Sequence, residues 1–323
     1  MAYYLTCKIE IGKYVFSYAE SVQIESSWQT LGDTCTIKLP NFKQQLEKNI
    51  QIGDFVRVYL GYDGNNNLEF EGYVSKIGAS VPLEIHCEDK VFLLKRNSFE
   101  GKLFQKATLK QVLNEILQSF QNQINEPLSI IEKGLPDIEV GNLRIGKATY
   151  AEILQKLKED YFFVLYFRPQ YLYMGLPYLE YENTTPKILD FSKNVIDTQN
   201  LRFRKKEEVK IKVKVISILP NNERIEAEAG DKEGELRTLY TQNEKNKDKL
   251  QAWANAQIDL LKYEGYTGNL LAFGVPFAQH TNSIKLIDPH YPERGGVYVV
   301  DKVKVSYGVR GFRREIEIGK KIG

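Results

Sequence analysis

Apolar and polar positions alternate along most of the first hundred residues. In LGDTCTIKLPNF (31–42) the polar side chains Thr34, Thr36 and Lys38 alternate with apolar ones, which predicts a strand with one buried face and one polar face. Similar runs at spacings of roughly ten residues predict six strands, and hence a barrel or sandwich, over 1–100. The other runs are TCKIEIG, YVFSYAESVQIES, DFVRVYLGY, LEFEGYVSKIG and LEIHCED.

The spacing of apolar residues changes to a helical period after residue 100. ATLKQVLNEILQSF places its apolar side chains on one helical stripe, and Thr108 with Gln111 forms the pattern of a capping box. A second helix is predicted in KATYAEILQKLKEDY, followed by the strand pair YFFVLYF and QYLYMGL with a turn at Arg168 and Pro169. Residues 101–188 therefore read as a small α+β module.

Residues 189–323 return to a strand pattern, interrupted by one helix predicted at about 244–263. EEVKIKVKVISI places Lys210, Lys212 and Lys214 on one strand face, and VDKVKVSY places Lys302 and Lys304 on another. This region is predicted to form a second β-barrel domain.

The lysine rows and the polar face of 34–38 allow two interpretations. They are solvated faces on which lysine discourages edge-to-edge aggregation, or they face a neighbouring subunit, an acidic partner or a channel for a polyanion. The formal net charge of the 323-residue chain is only +2. This near balance argues against nucleic acid as the main partner, because such proteins usually carry a clear basic excess.

Candidate catalytic chemistry is sparse in the sequence. The three histidines and three cysteines lack the spacing of metal or nucleophile sites, and phosphate-binding and nucleophile-elbow motifs are absent. We therefore predict no enzyme, no cofactor and no metal, although abundant carboxylates leave a hidden glycosidase pair open. No signal peptide is evident, and the longest apolar run, Tyr161–Phe167, is far shorter than the ~18 residues that span a bilayer. The thiols are predicted to be buried and reduced.

The order of elements resembles the phage tail baseplate hub family, also called late control protein D-like proteins. The first 100 residues contribute SSWQTLGDTCTIKLPN, GDFVRVYLGY and EFEGYVSKI, and the module contributes TYAEILQKL before an aromatic strand. The last third contributes a helix with Ala252, Ala254 and Ala256, then Gly265–Gly268, a strand to Pro276, Ile284–Ile287, Gly296–Val300 and Gly311–Ile318.

This resemblance implies a mainly β fold with an α+β insertion, in which two tube-type β-barrel domains flank the module. It implies a homotrimeric hub that joins a sixfold tail tube to a threefold spike, in a virion or prophage tail tip assembled in the bacterial cytoplasm. The spike is expected to be a separate protein, since the sequence stops at Gly323. Other baseplate proteins are expected partners, and DNA is expected to pass without sequence preference. Thr34, Thr36, Lys38 and the two lysine rows are the candidate interface or channel-facing residues.

Two other functions remain open at this stage. A β-rich glycan- or receptor-binding module would use exposed aromatic side chains such as Tyr171, Tyr173 and Tyr178, although aromatics in alternating strands more often pack in cores. A cell-wall hydrolase would need two carboxylates that converge in a cleft.

Overall fold

The computed structural model describes residues 4–40, 46–124, 128–135, 138–161, 163–176, 178, 185–219, 221–242 and 244–323. The chain forms two compact units. The first comprises residues 1–92, 181–202 and 266–323, and the second comprises residues 93–180 and 203–265. Two short elements, α1 (Val91–Arg96) and β17 (Arg202–Arg204), lie where the chain passes between the units.

The first unit is built almost entirely from strands, taken from both ends of the chain. Its described strands are β1 (Leu5–Ile11), β2 (Tyr14–Phe16), β3 (Ser21–Ser27), β4 (Thr34–Leu39), β5 (Phe55–Tyr62), β6 (Asn65–Ile77), β7 (Leu83–Glu88), β15 (Lys187–Asp190), β16 (Val195–Asp197), β21 (Gly265–Phe273), β22 (Ser283–Ile287), β23 (Gly296–Gly308) and β24 (Gly311–Lys321).

The second unit combines three helices with several small sheets. Its described elements are β8 (Ser98–Phe99), β9 (Lys102–Thr108), α2 (Leu109–Gln121), β10 (Ser129–Lys133), β11 (Glu139–Ile145), β12 (Ala148–Thr149), α3 (Tyr150–Tyr161), β13 (Val164–Phe167), β14 (Tyr171–Gly175), β18 (Ile211–Ile218), β19 (Arg224–Gly230), β20 (Glu235–Gln242) and α4 (Lys247–Leu261).

One continuous sheet runs through the first unit in the order β16-β21-β24-β23-β3-β4-β7-β6-β5-β1-β2, with β22 on β23 and β15 on β22. The amino-terminal and carboxy-terminal strands meet where β3 pairs with β23, antiparallel, from Ser21 opposite Gly308 to Ser27 opposite Lys302. This pairing joins segments that lie nearly the whole chain apart in sequence.

Alternation along these strands separates a buried face from an outward face. On β4, Cys35, Ile37 and Leu39 are at most 1% exposed, and the residues between them are half-buried or exposed. β3 and β23 follow the same rule, with Val22 and Val305 among the buried positions. The three cysteines are buried free thiols.

A buried ion pair links β6 to β24 inside the first unit. Arg314 Nη2 lies 2.7 Å from Glu69 Oε1, and both side chains are 1% exposed. Arg314 also donates hydrogen bonds to the carbonyl oxygens of Gly274 and Ala278. Burial raises the pKa of Glu69, while the Arg314 charge and hydrogen bond oppose that rise.

In the second unit, the helices begin where the sequence predicts. Thr108 accepts a hydrogen bond from the Gln111 backbone N–H, and the Gln111 side chain accepts one from the Thr108 N–H, so the predicted capping box is confirmed. The predicted strand pair is also present, because β13 and β14 are antiparallel around Arg168. The remaining sheets have the orders β10-β14-β13, β11-β9, β12-β8 and β19-β18-β20.

The mainly β fold with antiparallel pairing is confirmed. The sequence predicts three consecutive domains, 1–100, 101–188 and 189–323, whereas the structure forms two compact units that each combine separate segments of the chain. Strands from the first and last stretches share one unit. β18, β19, β20 and α4 were assigned to the second barrel, yet they belong to the unit that contains the α+β module. Helix α1 interrupts the region predicted to be all β. The two ends of the chain share one unit because β3 pairs with β23, and no local sequence pattern reveals that pairing.

Candidate functional site

The polar side chains of β4 lie on the outward face of the first unit's sheet. Lys38 Nζ lies 3.1 Å from Glu84 Oε2, and His86 Nε2 lies 2.9 Å from Glu84 Oε1. Thr36 Oγ1 is 3.3 Å from His86 Nδ1, and Thr34 is exposed at the other end of the strand. The hydrogen bond from Lys38 is the main cause that lowers the pKa of Glu84.

Lys302 and Lys304 of β23 lie on this same face. Lys304 is directly opposite Glu25 of β3, which is in turn directly opposite Thr34. Glu25 bridges the two lysines, with Nζ–Oε distances of 3.3 Å to Lys302 and 3.5 Å to Lys304. The structure therefore brings together five of the eight candidate residues, from strands at both ends of the chain.

The other lysine row lies in the second unit, on a different sheet. Lys212 Nζ is 2.6 Å from Glu228 Oε2, and Lys214 Nζ is 2.5 Å from Glu226 Oε2. The hydrogen bond to Glu226 is the first cause that raises the pKa of Lys214, and the hydrogen bond from Lys212 lowers the pKa of Glu228. Lys210 is exposed and precedes β18.

Glutamates on neighbouring strands therefore accompany the lysines, and the sequence analysis missed them. Cross-strand pairs of opposite charge stabilise a sheet and reduce the net charge of its face. Alternating acids in ERIEAEAG and FRREIEIG carried the signal, but the pairing of strands was needed to match acid to base. Each of these sheet faces therefore carries both positively and negatively charged side chains. Such a face is better suited to hydrogen bonds and ion pairs with another protein surface than to binding a polyanion.

We expect the acid–base ladder of β18 and β19 to be sensitive to charge order. Replacing Lys214 with glutamate places three carboxylates side by side, so the midpoint of urea unfolding should fall. Adding Glu226→Lys returns an opposite charge beside position 214, although Glu228 stays directly opposite that position, and should therefore recover part of that loss. Urea unfolding followed by Trp253 fluorescence, in a Trp28→Phe background, measures both variants. If the exchanged pair recovers no stability, charge pairing between β18 and β19 does not contribute to the stability of this sheet.

Aromatic side chains that a sugar-binding site would need are partly buried. Tyr173 is 1% exposed, and its ring stacks on Tyr166 with centroids 4.9 Å apart. Tyr171 and Tyr178 are half-buried. The alternative of a glycan-binding module would need Tyr173 exposed, whereas its ring is buried against that of Tyr166 on the neighbouring strand β13.

One buried carboxyl group, that of Asp89, lies beside Asp33 in the segment that follows β7. Asp89 is 7% exposed, and its Oδ2 accepts a hydrogen bond from the Asp33 backbone N–H at 3.0 Å. Burial, followed by the nearby Asp33 charge, raises the pKa of Asp89 to about 8. Because Asp89 is shielded from solvent, this pair is not a substrate-facing pair of the kind that a hydrolase uses.

Over the residue ranges that the structure describes, no group of three or more His, Cys, Asp or Glu side chains is arranged to hold a metal ion. No helix in the described part of the chain is long and apolar enough to cross a membrane.

Comparison with known proteins gives matches in structure only. No family model matches the chain, and no curated protein does. The tail protein from Neisseria meningitidis MC58 superposes with a TM-score of 0.69 and 14% identity, over 98% of this chain and 97% of that one. The 43 kDa tail protein of prophage MuSo2 from Shewanella oneidensis gives 0.61 and 15%, over 97% of each chain.

The chain has the fold of phage tail proteins. The resemblance inferred from the sequence is thereby confirmed at the level of the fold. The E. coli c3393 protein, described as a type VI secretion component similar in structure to the T4 tail proteins gp27 and gp5, also shares it. Its TM-score is 0.56 at 8% identity, over 98% of this chain and 79% of that one.

Proposed function

We propose that this chain is a structural subunit of a phage or prophage tail tip, where it forms a homotrimeric hub between the sixfold tail tube and a threefold spike. The observation that supports this most strongly is the shared fold, which extends over nearly the full length of two phage tail proteins. Its role is assembly rather than catalysis. Its partners are the tube protein, a separate spike and other baseplate proteins, in a tail assembled in the bacterial cytoplasm.

The sheet of the first unit supports the proposal that a trimer of this chain matches a threefold spike to a sixfold tube. One group of strands comes from residues before 92 and another from residues after 181, and the two groups join edge to edge through β3 and β23. If each group is a tube-type barrel, three subunits supply six similar groups, which is what a trimer needs to continue a sixfold tube.

The surface that we assign to assembly is the outward sheet face of the first unit, which carries charges of both signs and is called the mosaic below. It includes Thr34, Thr36, Lys38, Lys302 and Lys304, all on one sheet face. A face with both charge signs fits a neighbouring subunit that presents the complementary order. In the assembled ring this face meets a neighbour or lines the channel, and a near-neutral lining would let DNA pass without holding it. Lys210, Lys212 and Lys214 are proposed as a second contact.

Assembly is tested by light scattering across a concentration series, followed by negative-stain imaging. We expect a particle of about three times the 37.3 kDa chain mass with a central opening. Glu25→Lys should shift the particle toward monomer, because it places three lysines together on the mosaic. Glu100→Lys is the control, since Glu100 is an exposed partner of Lys147 in the second unit. If Glu25→Lys leaves the trimer unaffected, the mosaic is not part of the subunit interface. If the chain stays monomeric even in the presence of the tube and spike proteins, the proposal of a trimeric hub is wrong.

A further inference from the structure

Two of the three cysteines lie side by side on neighbouring strands of the first unit. Cys35 of β4 is directly opposite Cys87 of β7 in their antiparallel pairing. Each side chain is 1% exposed, and both are free thiols. Directly opposite residues of an antiparallel pair share one face of the sheet, so both thiols lie together on the buried face. The third cysteine, Cys7 of β1, is opposite Leu60 rather than another cysteine.

The hydrogen bonding of β4 and β7 fixes the spacing of this pair. The Asp89 backbone N–H donates to the Asp33 carbonyl oxygen at 3.1 Å, which marks Asp33 and Asp89 as a hydrogen-bonded pair. Such pairs alternate along an antiparallel ladder, and the register here is unbroken. Cys35 and Cys87 therefore form the next hydrogen-bonded pair, with Cα atoms about 5.5 Å apart. Disulfides join Cα atoms about 4.4–6.8 Å apart, so the backbone already has the spacing that a disulfide requires.

The surroundings of the two thiols are apolar. The same row of the sheet continues with Ile24 opposite Cys35 and Val74 opposite Cys87, and both of these side chains are buried. Burial raises the pKa of both thiols, so neither is the ready thiolate that a nucleophile or a metal ligand requires. The reaction that two adjacent thiols can still undergo is oxidation to a disulfide.

We propose that Cys35 and Cys87 are a latent redox site, at which an oxidant of the disulfide class closes a reversible cross-strand bond. One cysteine, as its thiolate, attacks an oxidant such as oxidised glutathione and releases one glutathione thiol. The second cysteine then displaces the other glutathione from the mixed disulfide. In total, two cysteine S–H bonds are lost and one S–S bond forms between β4 and β7. The oxidant is reduced to two thiols, which take up the two protons.

The strand geometry also indicates that this bond is easily reduced. The Cβ atoms of directly opposite residues in a hydrogen-bonded pair are about 5.5 Å apart, whereas a disulfide holds them about 3.5–4.5 Å apart. Closure draws the two side chains together against the ladder, and strained disulfides are the more labile ones. Burial slows the reaction as well, because an oxidant reaches the thiols only when β4 and β7 separate locally.

A tail tip gives this site a biological context, and that context rests on the proposed function. A protein assembled in the bacterial cytoplasm is kept reduced there, whereas the extracellular medium favours disulfides. Release of the particle would therefore favour the form in which β4 and β7 are joined covalently. The bond itself lies within one chain, so its test does not need a trimer and is independent of the test of the hub.

The test measures the disulfide equilibrium in glutathione buffers of increasing oxidised fraction, for the folded chain and for the chain in urea. The protein is refolded in each buffer, so that slow access to the buried thiols does not limit the result. Cys7→Ala leaves only the proposed pair, and adding Cys35→Ala gives the control with a single thiol. Peptide mass spectrometry should identify a bond between positions 35 and 87 in the first variant, and only mixed disulfide with glutathione in the control.

The expected size of the effect follows from the loop that the bond closes. Closing a loop of roughly 50 residues can favour the folded state by up to about a thousandfold, and the wide Cβ spacing reduces this factor. We expect the bond to form at least about tenfold more favourably in the folded chain than in urea. By a thermodynamic cycle, oxidation must lower the unfolding equilibrium constant by the same factor, which Trp28 fluorescence in a Trp253→Phe background measures.

Equal or weaker formation of the bond in the folded chain than in urea would overturn the proposal. Glutathione adducts without a bond between positions 35 and 87 would overturn it too. If Cys7→Ala does not fold, the unaltered protein decides, because the linked peptides must then contain Cys35 and Cys87. A bond to Cys7 in their place would count against the site.

Discussion

Replacing Arg314 with leucine should lower the free energy of unfolding of the first unit by about 3–5 kcal/mol. The guanidinium group forms a buried ion pair with Glu69 and also donates hydrogen bonds to the carbonyl oxygens of Gly274 and Ala278. Leucine fills part of the volume but leaves a buried carboxylate without its counter-charge. Trp28 fluorescence in a Trp253→Phe background reports the transition of the first unit.

This loss should depend on pH in a defined direction. Without Arg314, the pKa of buried Glu69 rises further above the ordinary value of about 4.3. The folded variant then gains a proton that the unfolded chain lacks, so the deficit shrinks toward about pH 4 and grows toward neutral pH. A deficit that does not change with pH would show that Glu69 is solvated after the substitution.

Arg313→Leu is the matched control for the buried arginine. Arg313 is the preceding residue, half-buried on the opposite face of β24, and its guanidinium lies 4.9 Å from the centre of the Phe273 ring. An arginine stacked on an aromatic ring near solvent contributes about 0.5–1 kcal/mol. A cost for Arg313→Leu as large as that for Arg314→Leu would contradict the ion-pair explanation.

Replacing Tyr150 with alanine should lower the free energy of unfolding of the second unit by about 3–5 kcal/mol. Tyr150 begins α3 and is fully buried. Its ring centroid lies 5.2 Å from that of Phe120 on α2 and 6.1 Å from that of Phe99. Alanine would leave a cavity that two helices and a strand cannot close without moving. Trp253 in a Trp28→Phe background reports the transition.

Tyr150→Phe keeps the aromatic ring and removes the hydroxyl group, so it distinguishes the contributions of the two to stability. The hydroxyl lies 2.8 Å from Ser119 Oγ and accepts a hydrogen bond from Gln123 Nε2 at 2.7 Å. Removing it leaves these two partners to find other bonds, at a cost of about 1–3 kcal/mol. We expect the phenylalanine variant to lie between the parent and the alanine variant, and equal losses for both variants would show that the ring contributes no packing.

Local features of this protein were predictable from its sequence because they depend on near neighbours in the chain. The capping box at Thr108 and the strand pair around Arg168 each involve residues a few positions apart. The buried and outward faces of β4 followed from its period of two, since adjacent side chains of a strand point to opposite sides. The predicted helix at about 244–263 corresponds to α4, Lys247–Leu261.

The tertiary structure decided which strands share a sheet and which charges meet. The bond from Ser27 to Asp301 spans 274 residues, and the pair between Glu69 and Arg314 spans 245. Periodicity assigns each strand a buried face without naming its neighbour, because burial is equally satisfied by many partners. The choice of partner depends on the packing of the whole unit, which is why the two ends of the chain were predicted as separate domains and why the glutamates beside the lysines were overlooked.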